Sequence, residues 1–429
     1  MSALIVEGGR PLSGTVRVHG AKNSALPILA AAILAPGTSV IHNCPPLSDV
    51  TASLEILRHL GCRVTQEGTT VTVDATAPVR WDVPHALMRE MRSSVIFLGA
   101  ILGRMGEADL SFPGGCELGP RPIDLHLKAI RTLGGEIEER GGRLYCRGAL
   151  KGREVIFARP SVGATENAML AAVAAPGTTI LCNAAREPEI VDLQGFLTAM
   201  GASVRGAGTS MVVIEGGRPL HGGEYTVMGD RIVACTYLAA AAAAGGEVTV
   251  TGVDPRHIST VTSVLAEAGC RVVSQRDAVC LSSDAPLFGS RPIHTAPYPG
   301  FPTDAQPPLM AALCKGKGTT LFVENIFESR YRHVDELARM GADIRVEGRV
   351  AVVCGVPELH GAAVEAADLR GGAALVVAAL AAEGRSVITG LKHLDRGYWH
   401  LEETLGELGA QITRGGAEEE SEPSASVGR

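Results

Sequence analysis

Six times along the chain an amphipathic segment closes on a glycine that is followed three residues later by Val or Ile: LGCRV, LGGEI, MGASV, AGCRV, MGADI and LGAQI. The glycines are Gly61, Gly134, Gly201, Gly269, Gly341 and Gly409, spaced 67 to 73 residues apart. A glycine just past a helix lets the backbone turn left-handed, so each predicts the end of a helix such as DVTASLEILRHLG, with its charged face toward water. Upstream lie alanine-rich segments with no polar face, among them ALPILAAAIL, NAMLAAVAA, TYLAAAAAA, PPLMAALC and ALVVAALAA. A helix that is apolar all round must be buried, and alanine lets neighbouring helices approach closely. The predicted unit is a buried helix, a glycine turn, a short strand, an amphipathic helix and one or two strands. Self-similarity at a fixed period makes the chain six copies of it.

A longer period lies over the short one. EGGRPL occurs at 7–12 and again 208 residues later at 215–220, and Gly61 to Gly269 and Gly201 to Gly409 keep the same interval. Three units therefore form one half, and the half is duplicated. The expected class is α/β, with two domains in which sheets surround buried helices. Residues 22–229 form the first three-unit domain, residues 1–21 with 230–414 the second, and 415–429 an acidic disordered tail. The chain would cross between domains near 20 and near 229.

Composition narrows the function. The 429 residues carry a net charge of −7 without a basic run, which argues against nucleic acid as a partner. The apolar runs are shorter than the roughly 18 residues of a membrane span, so no membrane partner is expected either. Ten cysteines without a CxxC pair, and no leader-like start, predict free thiols and a cytoplasmic location. CKGKGTT lacks the spacing of a phosphate loop and falls at the same turn as APGTS, APGTT and AEGRS, which makes it a structural turn. With no HExxH, no zinc spacing and no GxGxxG after a strand, neither metal nor nucleotide cofactor is expected.

The starts of the buried helices carry the candidate chemistry: Lys22 and Asn23 in GAKNSALP, Arg92 in REMRSS, Ser161 in SVGATEN, Asp230 in GDRI, Asp304 in FPTD, and Asp368 with Arg370 in DLR. If these starts face one another, their free N–H groups and partial positive charge form a cleft for anions, phosphates above all. The three aspartates also suit plain N-capping. Lys22 and Arg92 oppose the helix dipole and imply an anion nearby. A second set, Arg121, Arg256 and Arg396, each stands 13 residues before a helix-ending glycine. For Arg256 solvated charge is the preferred reading, whereas Cys116 in a glycine-rich loop accompanies Arg121, and LDRGYWH surrounds Arg396.

GAKNSALP, GGCELGPRPIDLH, SVGAT, NAAREPEIVD, FPTD, FESR and DRGY, in that order, resemble the enolpyruvyl transferases that act on UDP-N-acetylglucosamine. The resemblance covers residues 1–414 and implies an inside-out α/β barrel pair. It implies transfer of the enolpyruvyl group of phosphoenolpyruvate to the sugar 3-hydroxyl with release of phosphate, the first committed step of peptidoglycan synthesis. On it, Lys22, Arg121 and Arg396 hold phosphoenolpyruvate and Asn23 orients it. Asp304 is the general base, and Cys116, on a mobile lid, is the proton donor and the target of fosfomycin. Arg92, Arg121, Pro122, Ile123, Asp124, Leu125, Arg159, Pro160, Ser161, Val162 and Ile326 match positions that contact the UDP-sugar. Asp230, Asp368, Arg370 and Glu328 of FESR join the substrate-binding set. Two departures stand out: Gly229 replaces an expected proline, which would loosen the domain crossing, and Pro160 interrupts the sugar-binding stretch. The alternatives are the shikimate 3-phosphate enolpyruvyl transferases and a UDP-sugar-binding paralogue without turnover.

Overall fold

A computed structural model describes residues 2–77, 80–112 and 123–416, with Arg92 described by its backbone alone. Its α-helices are α1 (Lys22–Ala31), α2 (Ser48–His59), α3 (His85–Glu90), α4 (Phe97–Met105), α5 (Asp124–Thr132), α6 (Val162–Ala174), α7 (Pro188–Ala199), α8 (Arg231–Ala244), α9 (Ser259–Glu267), α10 (Gln306–Cys314), α11 (Val334–Arg339), α12 (Leu369–Ala381) and α13 (Leu401–Glu407). The chain is mixed α/β.

The described strands form six four-stranded sheets of one order, plus a two-stranded pair. In one of them Glu224–Thr226 runs parallel to Thr38–His42, which pairs antiparallel with Thr70–Asp74, and Arg63–Glu67 closes the edge. The parallel edge strand is separated from its partner by at least a buried helix, so each sheet stitches one unit to another. Ser2–Glu7 lies between Arg385–Thr389 and Gln411–Gly416, and Leu12–Arg17 runs parallel to Gly246–Thr251. The last strand reaches Gly416, so two residues assigned to the tail are paired, while 417–429 lie outside the described residues.

Alternation in the strands and the helical period place apolar side chains in two clusters. One is drawn from residues between Ala25 and Val227, the other from Leu4 to Val18 and Val233 to Ile412. α1, α6, α8, α10 and α12 are buried on nearly every side. In the second unit the buried helix is α4, entered through a 3-10 turn at Arg92–Ile96. Here glycine sets the packing distance: a Cβ on Gly99 would stand 2.2 Å from the Asn167 carbonyl oxygen, and the Gly99 N–H donates to Asn167 Oδ1 at 2.6 Å. α2 and α5 are amphipathic, with Leu54 and Leu57, or Leu127 and Ile130, inward and Glu55 or Lys128 outward. The six glycines that end the amphipathic segments all have left-handed φ, between 91° and 105°.

The two chain passages near 20 and 229 run side by side. Gly20 and Gly229 form an antiparallel bridge, the Ala21 N–H donates to Met228 O at 2.7 Å, and the Asp230 N–H donates to His19 O at 2.8 Å. A Cβ on Gly229 would come within 1.9 Å of the Gly252 carbonyl oxygen, and one on Gly20 within 1.6 Å of that of Asn43. The expectation that Gly229 loosens this passage is therefore corrected: close backbone approach requires glycine there.

Candidate active site

Two kinds of connection deliver the polar side chains: the starts of the buried helices, and the loops that lead from the strand after each buried helix to the next amphipathic helix. Lys22 opens α1 and is almost fully buried. Its Nζ donates to Asp49 Oδ2 at 3.0 Å, and Asp49 lies in the first turn of α2. Arg396, 347 residues away, donates from Nε to Asp49 Oδ1 at 3.0 Å. This supplies the anion that a lysine at a helix start demands. Burial would raise the Asp49 carboxyl, but the charges and hydrogen bonds of Lys22 and Arg396 outweigh it and hold it below the usual carboxylate range. Asn23 is half-buried beside Lys22.

Asp230 and Asp368 are helix caps. Asp230 Oδ1 accepts from the N–H groups of Ile232 and Val233 at 2.8 and 3.0 Å, and its other oxygen accepts from the Lys22 N–H at 3.3 Å. Asp368 accepts from the N–H groups of Arg370 and Gly371. Asp304 differs, for it sits within the turn Thr303–Ala305 before α10, where two arginines reach its carboxylate. Arg330 Nη2 reaches its Oδ1 at 2.9 Å and also donates to Thr303 O at 2.9 Å, while Arg370 Nε approaches Oδ2 at 3.4 Å. Arg370 stacks over the Tyr398 ring at 5.3 Å. Burial would lower its pKa, but Tyr398, Asp304 and Asp230 together hold it above the ordinary value.

Glu324 pins the loop that carries Ile326: one carboxylate oxygen accepts from the Ile326 and Phe327 N–H groups at 2.8 and 3.0 Å, the other from Thr303 Oγ1 at 3.0 Å. Ile326 is exposed beside it. Glu328 is set apart at the surface, 3.7 Å from Arg349.

A second group forms where α5 and α6 begin. Asn167 Nδ2 lies 3.0 Å from His126 Nδ1, and a Cβ on Gly163 would lie 3.0 Å from the His126 ring. This brings Ile123 and Asp124 beside Ser161 and Val162. Arg159 is exposed and Pro160 half-buried just before α6, and the Ser161 hydroxyl caps it through the Ala164 N–H. The Leu125 side chain packs into the core, which leaves its backbone for any ligand. Burial lowers the His126 pKa to about 4, so the ring is neutral near pH 7.

The groups join at the start of α8. Arg231, next to Asp230, donates from Nε to Glu189 Oε1 at 2.9 Å, with both side chains buried. Burial, then the charges of Glu189 and Glu187, push the Glu166 carboxyl well above its usual value.

Cys116, Arg121 and Pro122 lie outside the described residues, as does the Arg92 side chain. Arg256 is exposed and paired with Asp254, which agrees with solvated charge. Asp49, Arg330, Glu324 and the Glu166–Glu189–Arg231 group went unnoticed in the sequence. FESR contained Arg330 but did not show that it faces Asp304, and Asp49 lay within DVTASLEILRHLG, a helix expected to turn its charged face to water.

Comparison with known proteins follows this geometry. The family model for EPSP synthase (3-phosphoshikimate 1-carboxyvinyltransferase) matches residues 6–405. UDP-N-acetylglucosamine 1-carboxyvinyltransferase 2 of Caldanaerobacter subterraneus subsp. tengcongensis is 51% identical over 415 residues, spanning 96% of this chain and 100% of its own. UDP-N-acetylglucosamine 1-carboxyvinyltransferase 1 of Symbiobacterium thermophilum is 51% identical over 417 residues, spanning 96% of this chain and 94% of its own. The solved enolpyruvyl transferase NikO from Streptomyces tendae superposes with a TM-score of 0.86 at 28% identity, over 96% of this chain and 98% of that one. An EPSP synthase from Acinetobacter baumannii shares the fold, with a TM-score of 0.73 at 21% identity over 97% of this chain and 100% of its own. With a family model spanning nearly the whole described chain and relatives about half identical to it, the chain belongs to the EPSP synthase family.

Proposed function

We propose that this chain transfers the enolpyruvyl group of phosphoenolpyruvate to the 3-hydroxyl of UDP-N-acetylglucosamine, releasing phosphate, as the first committed step of peptidoglycan synthesis. The observation that carries the reading is two cation pairs held on carboxylates, Lys22 with Arg396 on Asp49 and Arg330 with Arg370 on Asp304, with Lys22, Asp304 and Arg370 at the starts of α1, α10 and α12. A trianionic substrate needs such cations, and guanidiniums bind phosphate and carboxylate in matched pairs. Relatives 45–51% identical over nearly their full length bear the UDP-N-acetylglucosamine 1-carboxyvinyltransferase name, which favours that acceptor over shikimate 3-phosphate.

In this reading Lys22, Arg396 and Arg121 take the phosphate and Asn23 orients it. Asp304, aimed by its two guanidinium partners, accepts the proton of the 3-hydroxyl as that oxygen bonds to C2 of phosphoenolpyruvate. Cys116 gives a proton to C3. Loss of phosphate and of one C3 proton then restores the double bond and leaves the enol ether. The paired starts of α5 and α6, with Arg92, Pro122, Ile123 to Leu125 and Arg159 to Val162, receive the UDP-sugar, whose diphosphate suits helix N-termini. Ile326, Asp230 and Asp368 complete the walls, whereas Glu328, at the surface beside Arg349, stands apart from them. The two apolar clusters support a pair of three-unit domains, 22–229 and 1–21 with 230–414, each an inside-out α/β barrel. The reaction takes place in the cytoplasm.

The test is phosphate release from phosphoenolpyruvate with UDP-N-acetylglucosamine and, separately, shikimate 3-phosphate, for wild type and Cys116→Ala. Release with the amino sugar alone, lost in the variant and after fosfomycin treatment, is expected. Release with shikimate 3-phosphate alone would transfer the assignment to that acceptor, and no release from folded protein would leave a binding paralogue.

A further inference from the structure

Asp49 belongs to no substrate-binding motif, yet it binds both of the cations assigned to the phosphate. Its two oxygens serve both: Oδ2 accepts from Lys22 Nζ at 3.0 Å and from Arg396 Nη2 at 3.5 Å, and Oδ1 accepts from Arg396 Nε at 3.0 Å. Lys22 keeps two ammonium protons and Arg396 keeps Nη1 outside these bonds, so the carboxylate aligns the pair without exhausting its donors. Only 3% of the Asp49 side chain is exposed, against 35% for Arg396. The fixed member of the pair is therefore the carboxylate.

The contact also spans the two halves of the repeat. Asp49 and Lys22 stand in the first half, whereas Arg396 comes from the turn Leu394–Arg396 in the second. Two residues on, Tyr398 is anchored to α8 by a 2.8 Å hydroxyl bond to Thr236, and Trp399 packs against the first-half core. Without Asp49, two like charges would face each other at a helix start whose dipole is also positive there. Arg396, the more exposed, would then turn to water.

We propose that Asp49 is a positioning residue that holds Lys22 and Arg396, across the two halves, in the spacing that receives the phosphate of phosphoenolpyruvate. This rests on the reading that those two cations bind that phosphate. Asp49 touches no substrate; it sets where the donors stand.

The experiment compares wild type, Asp49→Asn and Asp49→Glu by steady-state phosphate release. In parallel, inorganic phosphate is titrated against Trp399 fluorescence in the Trp81→Phe background, where Trp399 is the remaining tryptophan. For Asp49→Asn the KM for phosphoenolpyruvate rises about 30-fold or more. The KM for UDP-N-acetylglucosamine stays within about twofold. Inorganic phosphate weakens in step with phosphoenolpyruvate, and Asp49→Glu recovers much of the loss. A general loss of structure would move both KM values, so the split separates positioning from mere stability. An unchanged or lower KM for phosphoenolpyruvate in Asp49→Asn overturns the proposal, since the carboxylate would then be a spectator or a competitor for the cations. Failure of both variants to fold overturns it as well, by making Asp49 a structural residue. Inactive wild type is a separate outcome that defeats the functional reading, while the phosphate titration still reports on Asp49.

Discussion

Arg330 and Asp304 meet through Nη2 and Oδ1 at 2.9 Å, with 1% of the arginine side chain and 28% of the aspartate's exposed. The same guanidinium group donates to Thr303 O, so it fixes both the carboxylate and the turn that bears it. Arg330→Met removes the donor that this arginine supplies to that carbonyl and to Asp304 Oδ1, leaving Arg370 at Oδ2. The expected cost is about 3 kcal/mol of unfolding free energy, read from denaturant midpoints, because one partner of a buried pair is lost. Asp304→Asn keeps a hydrogen-bond acceptor of the same shape, so it folds and binds UDP-N-acetylglucosamine. Its kcat falls by about 10²- to 10⁴-fold, the span of general-base catalysis.

Glu166 is buried beside Glu189 and Glu187, and one of its oxygens has no hydrogen-bond partner among the described residues. Its folded pKa is raised, first by burial and then by those two charges. The folded protein thus keeps a proton that the unfolded chain releases near the ordinary value of 4.5. Stability is fully present below that pH and is lost as pH rises toward the folded pKa, with a slope of about 1.4 kcal/mol per pH unit. Glu166→Gln removes this proton uptake. The variant should match wild type at pH 4.5 and gain on it steadily toward pH 8, as read by urea unfolding at a series of pH values. Parallel stability curves would contradict the buried, protonated carboxyl.

His126 shows the opposite sign. Burial lowers its pKa from 6.5 to about 4. The neutral ring contributes stability above pH 6.5 that is lost as pH falls toward 4, on the order of 3 kcal/mol over the window. Unfolding at pH 7.5 and 4.5 should show a smaller acid-induced loss for His126→Gln than for wild type. His333, also buried with a pKa of about 4, adds a similar acid sensitivity that this substitution leaves in place.

Gly99→Ala tests the closeness of α4 and α6. The added Cβ would meet the Asn167 backbone oxygen at 2.2 Å, so the helices must separate. A loss of about 1–3 kcal/mol or more follows from overpacking. A calorimetric melting point within a degree of wild type would show that the two helices yield without cost. Gly229→Ala should behave likewise, since the backbone of Gly252 blocks its Cβ.

Much of this architecture is written locally. The period of glycines and the all-apolar segments specify buried and amphipathic helices because each signal depends on residues within one or two turns. The 208-residue duplication implied the pairing of halves for the same reason. The charge-bearing helix starts at Lys22, Asp230, Asp304 and Asp368 were legible because a charged residue at a helix end conflicts with, or completes, that helix's own dipole. The caps and the proposed base look alike in sequence, however, and only packing separates Asp304, which faces Arg330 and Arg370, from Asp230 and Asp368, which close their own helices. Asp49 joining Arg396 over 347 residues, and Glu189 joining Arg231 between halves, leave no trace in local periodicity. Such pairs depend on which surfaces meet when the helices are buried. Their strength then comes from removal of water around charges that, in the extended chain, are far apart and fully solvated.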